Sequence, residues 1–206
     1  MRLAVFASGG GSNFQSIVDA AESGALKARV VLCVSNNPAA GVLERAKKHD
    51  ISVSILNPSE YENQKEYVSL LLAKLSEHKI EFVALAGYMK MIPAEIVHEY
   101  SGRIVNIHPA LLPAFGGPGM YGLRVHRAVL EAGASESGAT VHLVDEGYDS
   151  GPIVLQETVP ILPGDTPESL AARVLKLEHQ IYPRALALFT DSRIQADGPN
   201  VSVHNT

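Results

Sequence analysis

Apolar positions along this chain fall into short blocks separated by glycine, proline and polar residues. Leu3 to Ala7 form an apolar run that ends in Ser8-Gly9-Gly10-Gly11-Ser12-Asn13. Phe14, Ile17, Val18 and Ala21 then recur at the spacing of an amphipathic helix, and Gly24 stops the pattern. Val30 to Val34 is a second apolar run, broken by Asn36-Asn37-Pro38, and Val42 to His49 predicts another helix. Val53 to Leu56 predicts a third strand. Tyr61 to His78 predicts a long amphipathic helix with Tyr67, Leu71 and Leu75 on one face. Phe82 to Leu85 and Ile104 to Ile107 complete five strands. These strands are continuously apolar rather than alternating, and helices separate them. That pattern predicts an α/β, Rossmann-like fold, a mostly parallel sheet with helices on both faces.

The pattern changes after His108. Pro109 to Gly122 is too rich in proline and glycine for a regular element. Val125 to Ala132 predicts a short helix. Ala139 to Val144 and Ile153 to Thr158 predict two strands, and their eight-residue connection is too short for a parallel crossover, so the C-terminal portion is expected to be antiparallel. Glu168 to Phe189 predicts a closing helix interrupted by Pro183. Residues 1–190 therefore read as one domain, and 191–206 as a polar, frayed tail.

Composition narrows the classes. The chain has 206 residues, 46% of them hydrophobic, which supports a real core rather than disorder. Its net charge is −5 with no dense Lys/Arg run, which argues against a nucleic-acid partner. No stretch approaches the ~18 apolar residues of a membrane span. Cys33 is the single cysteine and sits among apolar neighbours, so a buried structural thiol and a reducing, cytoplasmic location are expected. No tight ligand spacing joins His108, His126, His142 and a carboxylate, so no metal is expected.

The glycine loop sits between a strand and a helix, where backbone N–H groups and the helix dipole favour an anion such as a phosphate. A tight turn without a ligand is the plain alternative. Dinucleotide binding fits poorly. Phe14 stands where the third glycine of that fingerprint belongs, and Ser35-Asn36-Asn37 offers no carboxylate at the end of the second strand. The fifth strand ends Asn106-Ile107-His108-Pro109, and the two-residue period puts Asn106 and His108 on one face. An amide that can bond an oxyanion beside an imidazole that can exchange protons is a carbonyl-handling pair. Asp149, in Asp-Ser-Gly-Pro, either makes a local turn bond or holds that imidazole and favours its charged form. His142 reads as a structural histidine inside a strand, and His126 and His179 as capping or network residues.

Taken together these blocks resemble the folate-dependent glycinamide ribonucleotide transformylases of purine biosynthesis, from Leu3 to about Phe189. The blocks are Gly11-Ser12-Asn13, Leu85-Ala86-Gly87-Tyr88-Met89, Asn106-Ile107-His108-Pro109-Ala110-Leu111-Leu112-Pro113, Thr140-Val141-His142, Asp149-Ser150-Gly151-Pro152 and Glu178-His179 with Tyr182-Pro183. The resemblance implies a formyltransferase with 10-formyltetrahydrofolate as co-substrate, 5-phosphoribosyl-glycinamide as acceptor and no metal. It implies that Asn106, His108 and Asp149 are catalytic, and that Gly11, Ser12, Asn13 and Glu178 bind the acceptor. It also implies that Gln64, Met89, Lys90, Met91, Ile92, Asn106, Asp145, Glu146, Gly147 and Tyr148 meet the folate. Gln64 departs from the arginine often found in the family, and Lys65 stands beside it. Glycines 116–122 suggest a flap over the site. The Asn-x-His-Pro block is shared by several relatives. The chain begins at the first strand and ends just after the last helix, which favours the glycinamide acceptor over relatives with extra domains. A related hydrolase, a sugar-amine formyltransferase and a non-catalytic nucleotide-binding module stay open. The partners expected are small molecules, with a homodimer compatible.

Overall fold

A computed structural model describes residues 1–191, 194–197 and 200–203. The strands hydrogen-bond in the order Ser52–Ile55 (β3), Arg29–Ser35 (β2), Arg2–Phe6 (β1), Phe82–Leu85 (β4), Ile104–His108 (β5), Glu136–Leu143 (β6) and Ile153–Pro160 (β7), with a separate two-stranded sheet near the C-terminus. The chain divides into two compact units between Val105 and Asn106.

The first unit runs β1 (Arg2–Phe6), α1 (Ser12–Glu22), β2 (Arg29–Ser35), α2 (Val42–Lys48), β3 (Ser52–Ile55), α3 (Gln64–Glu77), β4 (Phe82–Leu85) and α4 (Ala94–Glu99), and closes on the start of β5 (Ile104–His108). β1 pairs with β2 and β4, and β2 with β3, all in parallel. Leu3 to Phe6 and Leu32 to Val34 are wholly buried, as continuous apolar runs in a sheet covered on both faces must be. Phe14 and Ile17 of α1, Val42 and Ala46 of α2, and Tyr67, Leu71 and Leu75 of α3 are buried too. Each large side chain so buried stabilises the fold by about 1.5–3 kcal/mol. Burial pushes the Cys33 thiol up to about 12, so it stays protonated and unreactive. The helix expected from Tyr61 begins at Gln64. Asn63 caps it by accepting the Glu66 N–H, and Pro58–Glu60 forms a separate short turn before it.

The second unit contains the end of β5, α5 (Leu123–Glu131), β6 (Glu136–Leu143), β7 (Ile153–Pro160), α6 (Pro167–Thr190), β8 (Ile194–Asp197) and β9 (Asn200–Val203). β6 and β7 are antiparallel, as their short connection requires. A side chain at Gly138 would meet the Glu157 carbonyl and Leu111, so this close approach of strands needs glycine. β7 ends the strand order and shows the half-buried alternation of an outer strand. Pro183 does not interrupt α6, which runs unbroken for 24 residues. Proline there removes one helix hydrogen bond, but Ile181, Tyr182, Ala185 and Leu186 are all buried, and that packing offsets the loss. The helix is closed at its start by a capping box between Thr166 and Ser169. In the tail, where no element was expected, β8 and β9 pair antiparallel. Residues 192–193, 198–199 and 204–206 lie outside the described residues.

Candidate active site

β5 delivers Asn106 and His108 to one face because successive strand residues point to opposite sides. Pro109 then ends the strand. The next segment is tied down at its root. Thr140 Oγ1 donates to the Ala110 carbonyl (2.6 Å) and accepts the Leu112 N–H (3.2 Å), while Gln156 Nε2 donates to the Leu112 carbonyl (2.9 Å). Beyond this root, Phe115 takes a left-handed backbone (φ 57°) that turns its carbonyl onto His108, whose Nε2 donates to it at 2.8 Å. Gly117 N donates to Asp149 Oδ2 at 2.9 Å. A side chain at Gly116 would lie 2.6 Å from Leu112 Cδ2 and 3.2 Å from Asp149 Cβ, so the glycines here allow backbone to lie against the carboxylate.

Asp149 arrives from a turn organised by Asp145, whose Oδ1 accepts the Gly147 N–H (3.0 Å) and the Ser150 hydroxyl (2.8 Å). Asp149 itself has φ 54°, a conformation that Asp and Asn tolerate better than other side chains. Its Oδ2 stands 3.5 Å from His108 Nδ1, and its Oδ1 stands 3.5 Å from His142 Nε2 and 3.4 Å from Asn106 Nδ2. The three residues singled out in sequence therefore converge in the second unit, with Asp149 within hydrogen-bonding or ion-pair reach of both Asn106 and His108.

His142, expected to be structural, belongs to the same cluster. Its Nδ1 donates to the Leu143 carbonyl at 2.8 Å, which leaves Nε2 of the neutral ring free to accept the Asn106 amide at 3.2 Å. That bond fixes which end of Asn106 carries the amide hydrogens. By the same logic the neutral His108 ring carries its hydrogen on Nε2, facing Phe115, and presents a bare Nδ1 to Asp149. The sequence signal for His142 was its place two residues after Thr140 in a predicted strand. What no spacing could show was the strand that faces it.

Electrostatics distinguish the members. Burial lowers the pKa of His108, and the Asp149 carboxylate and Phe115 carbonyl oppose that shift in part. Burial pushes Asp149 up, but the His142 ring, the Gly117 N–H and the His108 ring beside it outweigh that and hold the carboxyl below its ordinary range. Asp149 is thus a carboxylate at neutral pH, poised to receive charge on a ring that is neutral at rest. His126 of α5 is 4% exposed, and burial followed by His108 lowers its pKa. Its Nδ1 has no hydrogen-bond partner, which is not the network role expected of it. Among the described residues no group of three or more His, Cys, Asp or Glu side chains is placed to hold a metal ion.

The remaining candidates lie as follows. Gly11, Ser12 and Asn13 open α1 in the first unit, with Gly11 left-handed (φ 76°). Gln64 is exposed there and donates to Glu95 Oε2 at 3.4 Å, and Lys65 beside it is exposed. Met89 and Met91 are 51% and 49% exposed, Lys90 is exposed, and Ile92 is buried. In the second unit Asp145, Glu146, Gly147 and Tyr148 are exposed in the Asp149 turn, and Glu178 is buried in α6.

Residues 1–186 match the family model described as formyl transferase. The chain belongs to the formyl transferase family. Within the family it is 45% identical over 199 residues to the chloroplastic phosphoribosylglycinamide formyltransferase of Arabidopsis thaliana, covering 94% of this chain and 67% of that protein. It is 41% identical over 185 residues to the phosphoribosylglycinamide formyltransferase of Bacillus subtilis, covering 90% of this chain and 92% of that one. The crystal structure of glycinamide ribonucleotide transformylase 1 from Symbiobacterium toebii superposes with a TM-score of 0.92 at 38% identity, covering 100% of this chain and 94% of that one. The family's fold is thus the seven-stranded, mostly parallel sheet with an antiparallel C-terminal part expected from sequence. No helix among the described residues is long and apolar enough to cross a membrane.

Proposed function

We propose that this chain transfers the formyl group of 10-formyltetrahydrofolate to the amine of 5-phosphoribosyl-glycinamide in de novo purine biosynthesis, in the cytoplasm. The observation that carries the reading is the Asp149 carboxylate set between His108 and His142 and beside Asn106, in a chain 41% identical to a protein of that named activity over 92% of its length. The acceptor amine attacks the formyl carbon and a C–N bond forms. The carbonyl electrons move onto oxygen. The tetrahedral intermediate collapses by breaking the bond to folate N10, and the proton lost by the amine ends on that nitrogen. No bond to the enzyme is made.

Each group has a part in this sequence. Asn106 is held by His142, and its second amide hydrogen, engaged only by the long contact to Asp149, is available to the oxyanion. His108, when protonated, donates Nδ1–H to Asp149 and keeps Nε2–H for the substrate oxygen. The Phe115 carbonyl occupies that Nε2–H here, as a formyl oxygen would, so the donor displaces it on binding. Asp149 stabilises the imidazolium and takes part in passing the proton to folate through water. Gly11, Ser12 and Asn13 bind the acceptor phosphate and Glu178 its ribose. Gln64, Met89 to Ile92, Asn106 and Asp145 to Tyr148 receive the folate, for which the exposed Met89 and Met91 offer soft apolar contact.

The test is purified protein with both substrates, followed by the absorbance change of the folate. Formylated glycinamide ribonucleotide should appear in step with deformylated folate. Folate turnover without an acceptor would make the chain a hydrolase. Equal use of an acceptor lacking the phosphate would remove the loop's assigned role.

A further inference from the structure

We infer that Arg45 is a positioning residue for the phosphate of the acceptor, acting through the orientation of the glycine loop; this rests on the reading of that loop given above. Three successive carbonyls of the loop are engaged from behind. The Gly9 carbonyl accepts Val42 N–H (3.0 Å), the Gly10 carbonyl accepts Arg45 Nε–H (2.8 Å), and the Gly11 carbonyl accepts Gln15 N–H (2.9 Å). In a trans peptide the N–H points opposite to the carbonyl. Fixing the carbonyls of Gly9, Gly10 and Gly11 therefore turns the N–H groups of Gly10, Gly11 and Ser12 to the opposite side, the arrangement that receives an anion. Two of these three ties are backbone to backbone. The middle one depends on a side chain, so the Gly10–Gly11 peptide is the one whose aim a substitution can change.

The guanidinium is itself held in place. Arg45 NH1 donates to Gln15 Oε1 at 3.2 Å, and Gln15 Nε2 bonds Asp19 Oδ1 (2.8 Å) and His49 Nε2 (2.9 Å). His49 Nδ1 in turn contacts Glu22 Oε1 at 2.7 Å. The planar fork of arginine reaches a backbone carbonyl of the loop and a side chain of α1 together, and a lysine cannot do both. Gly11 is left-handed, and a side chain there would lie 2.7 Å from Val42 Cβ, so a larger residue at that position cannot take over the task of fixing the peptide.

The experiment measures both Michaelis constants for the wild type, Arg45→Met and Arg45→Lys, with circular dichroism to confirm folding. Arg45→Met should raise KM for phosphoribosyl-glycinamide about tenfold or more, the order expected when a charged hydrogen bond that fixes donors is lost. KM for 10-formyltetrahydrofolate and kcat should change less than about threefold, because the chemistry is left in place. Arg45→Lys should recover only part of the loss. In the protein without substrate, the Gly10 and Gly11 amide resonances should already move in Arg45→Met, and their response to inorganic phosphate should weaken. Full recovery by lysine with unmoved glycine resonances would show that charge alone matters and would overturn the proposal. So would equal rises in both Michaelis constants in a folded variant. Wild-type protein that makes no formylated product would instead defeat the functional reading, while the resonance measurement would still decide the role of Arg45 in the loop.

Discussion

Replacing Asp149 by Asn tests the centre of the site with little disturbance to the backbone. Asn tolerates φ 54° and its side-chain oxygen can keep the Gly117 N–H, whereas Ala would add strain to the loss of charge. Unit charges ~4 Å apart attract by about 4 kcal/mol at an effective dielectric of ~20. Oδ2 is 3.5 Å from His108 Nδ1, but the carboxylate is shared with His142 and with Gly117 N–H, and its side chain is 14% exposed. About 2–3 kcal/mol of that attraction is therefore assigned to the His108 imidazolium in the transition state, which converts to about 10²-fold in kcat. The pH profile should move as well. Burial already lowers the His108 pKa and Asp149 opposes it. Without the carboxylate, burial acts with less opposition, the pKa falls further, and a step that needs the protonated ring recovers only at lower pH. Stopped-flow and steady-state rates across pH 5–9, read from folate absorbance, measure both effects. A fall of less than about threefold, or a profile that stays in place, would refute the assigned role.

The other predictions are these. His108→Ala should cost a similar factor in kcat, and the His108→Ala/Asp149→Asn pair should be little slower than the slower single, since the groups act as a unit; multiplicative losses would count against the pairing. His142→Leu removes the acceptor that orients Asn106 and should lower kcat about tenfold with little change in either KM, as loss of an orienting hydrogen bond does. Gly11→Ala should raise the acceptor's KM well above the folate's, because φ 76° and Val42 force the loop to shift; equal changes would oppose the assignment. Hydrogen bonds from Arg173, the Leu162 N–H and the Ser169 hydroxyl hold the Asp165 carboxyl well below its usual range. A depressed folded-state pKa stabilises above the ordinary carboxylate range and is lost as pH falls through the depressed value. Arg173→Leu should therefore lower Tm at pH 7, and thermal melts should show that deficit shrinking toward about pH 3 and below.

The first unit was legible because its strands are buried on both faces, so Leu3 to Phe6 and Leu32 to Val34 appear as unbroken apolar runs. α4 was not, since the six residues Ala94–Glu99 hold fewer than two turns of periodicity. Pro183 misled because a helix rule concerns the backbone alone, and the packing of Tyr182 and Leu186 overrode it. Asn106, His108 and Asp149 were recognisable from their motifs. The engagement of His108 by the Phe115 carbonyl was not, because it depends on a left-handed residue within an irregular segment whose course no periodicity records.

The condition of Cys33 has a practical consequence. A single thiol that is buried and protonated through the working pH range leaves a background nearly silent to maleimides and spin labels. A cysteine introduced at exposed Tyr121 or Tyr148 would carry the only readily labelled group, with no need to remove the native one first. Fluorescence from a dye at Tyr121 would then test whether formyl-folate displaces the Phe115 carbonyl from His108, separately from the absorbance that reports its consumption.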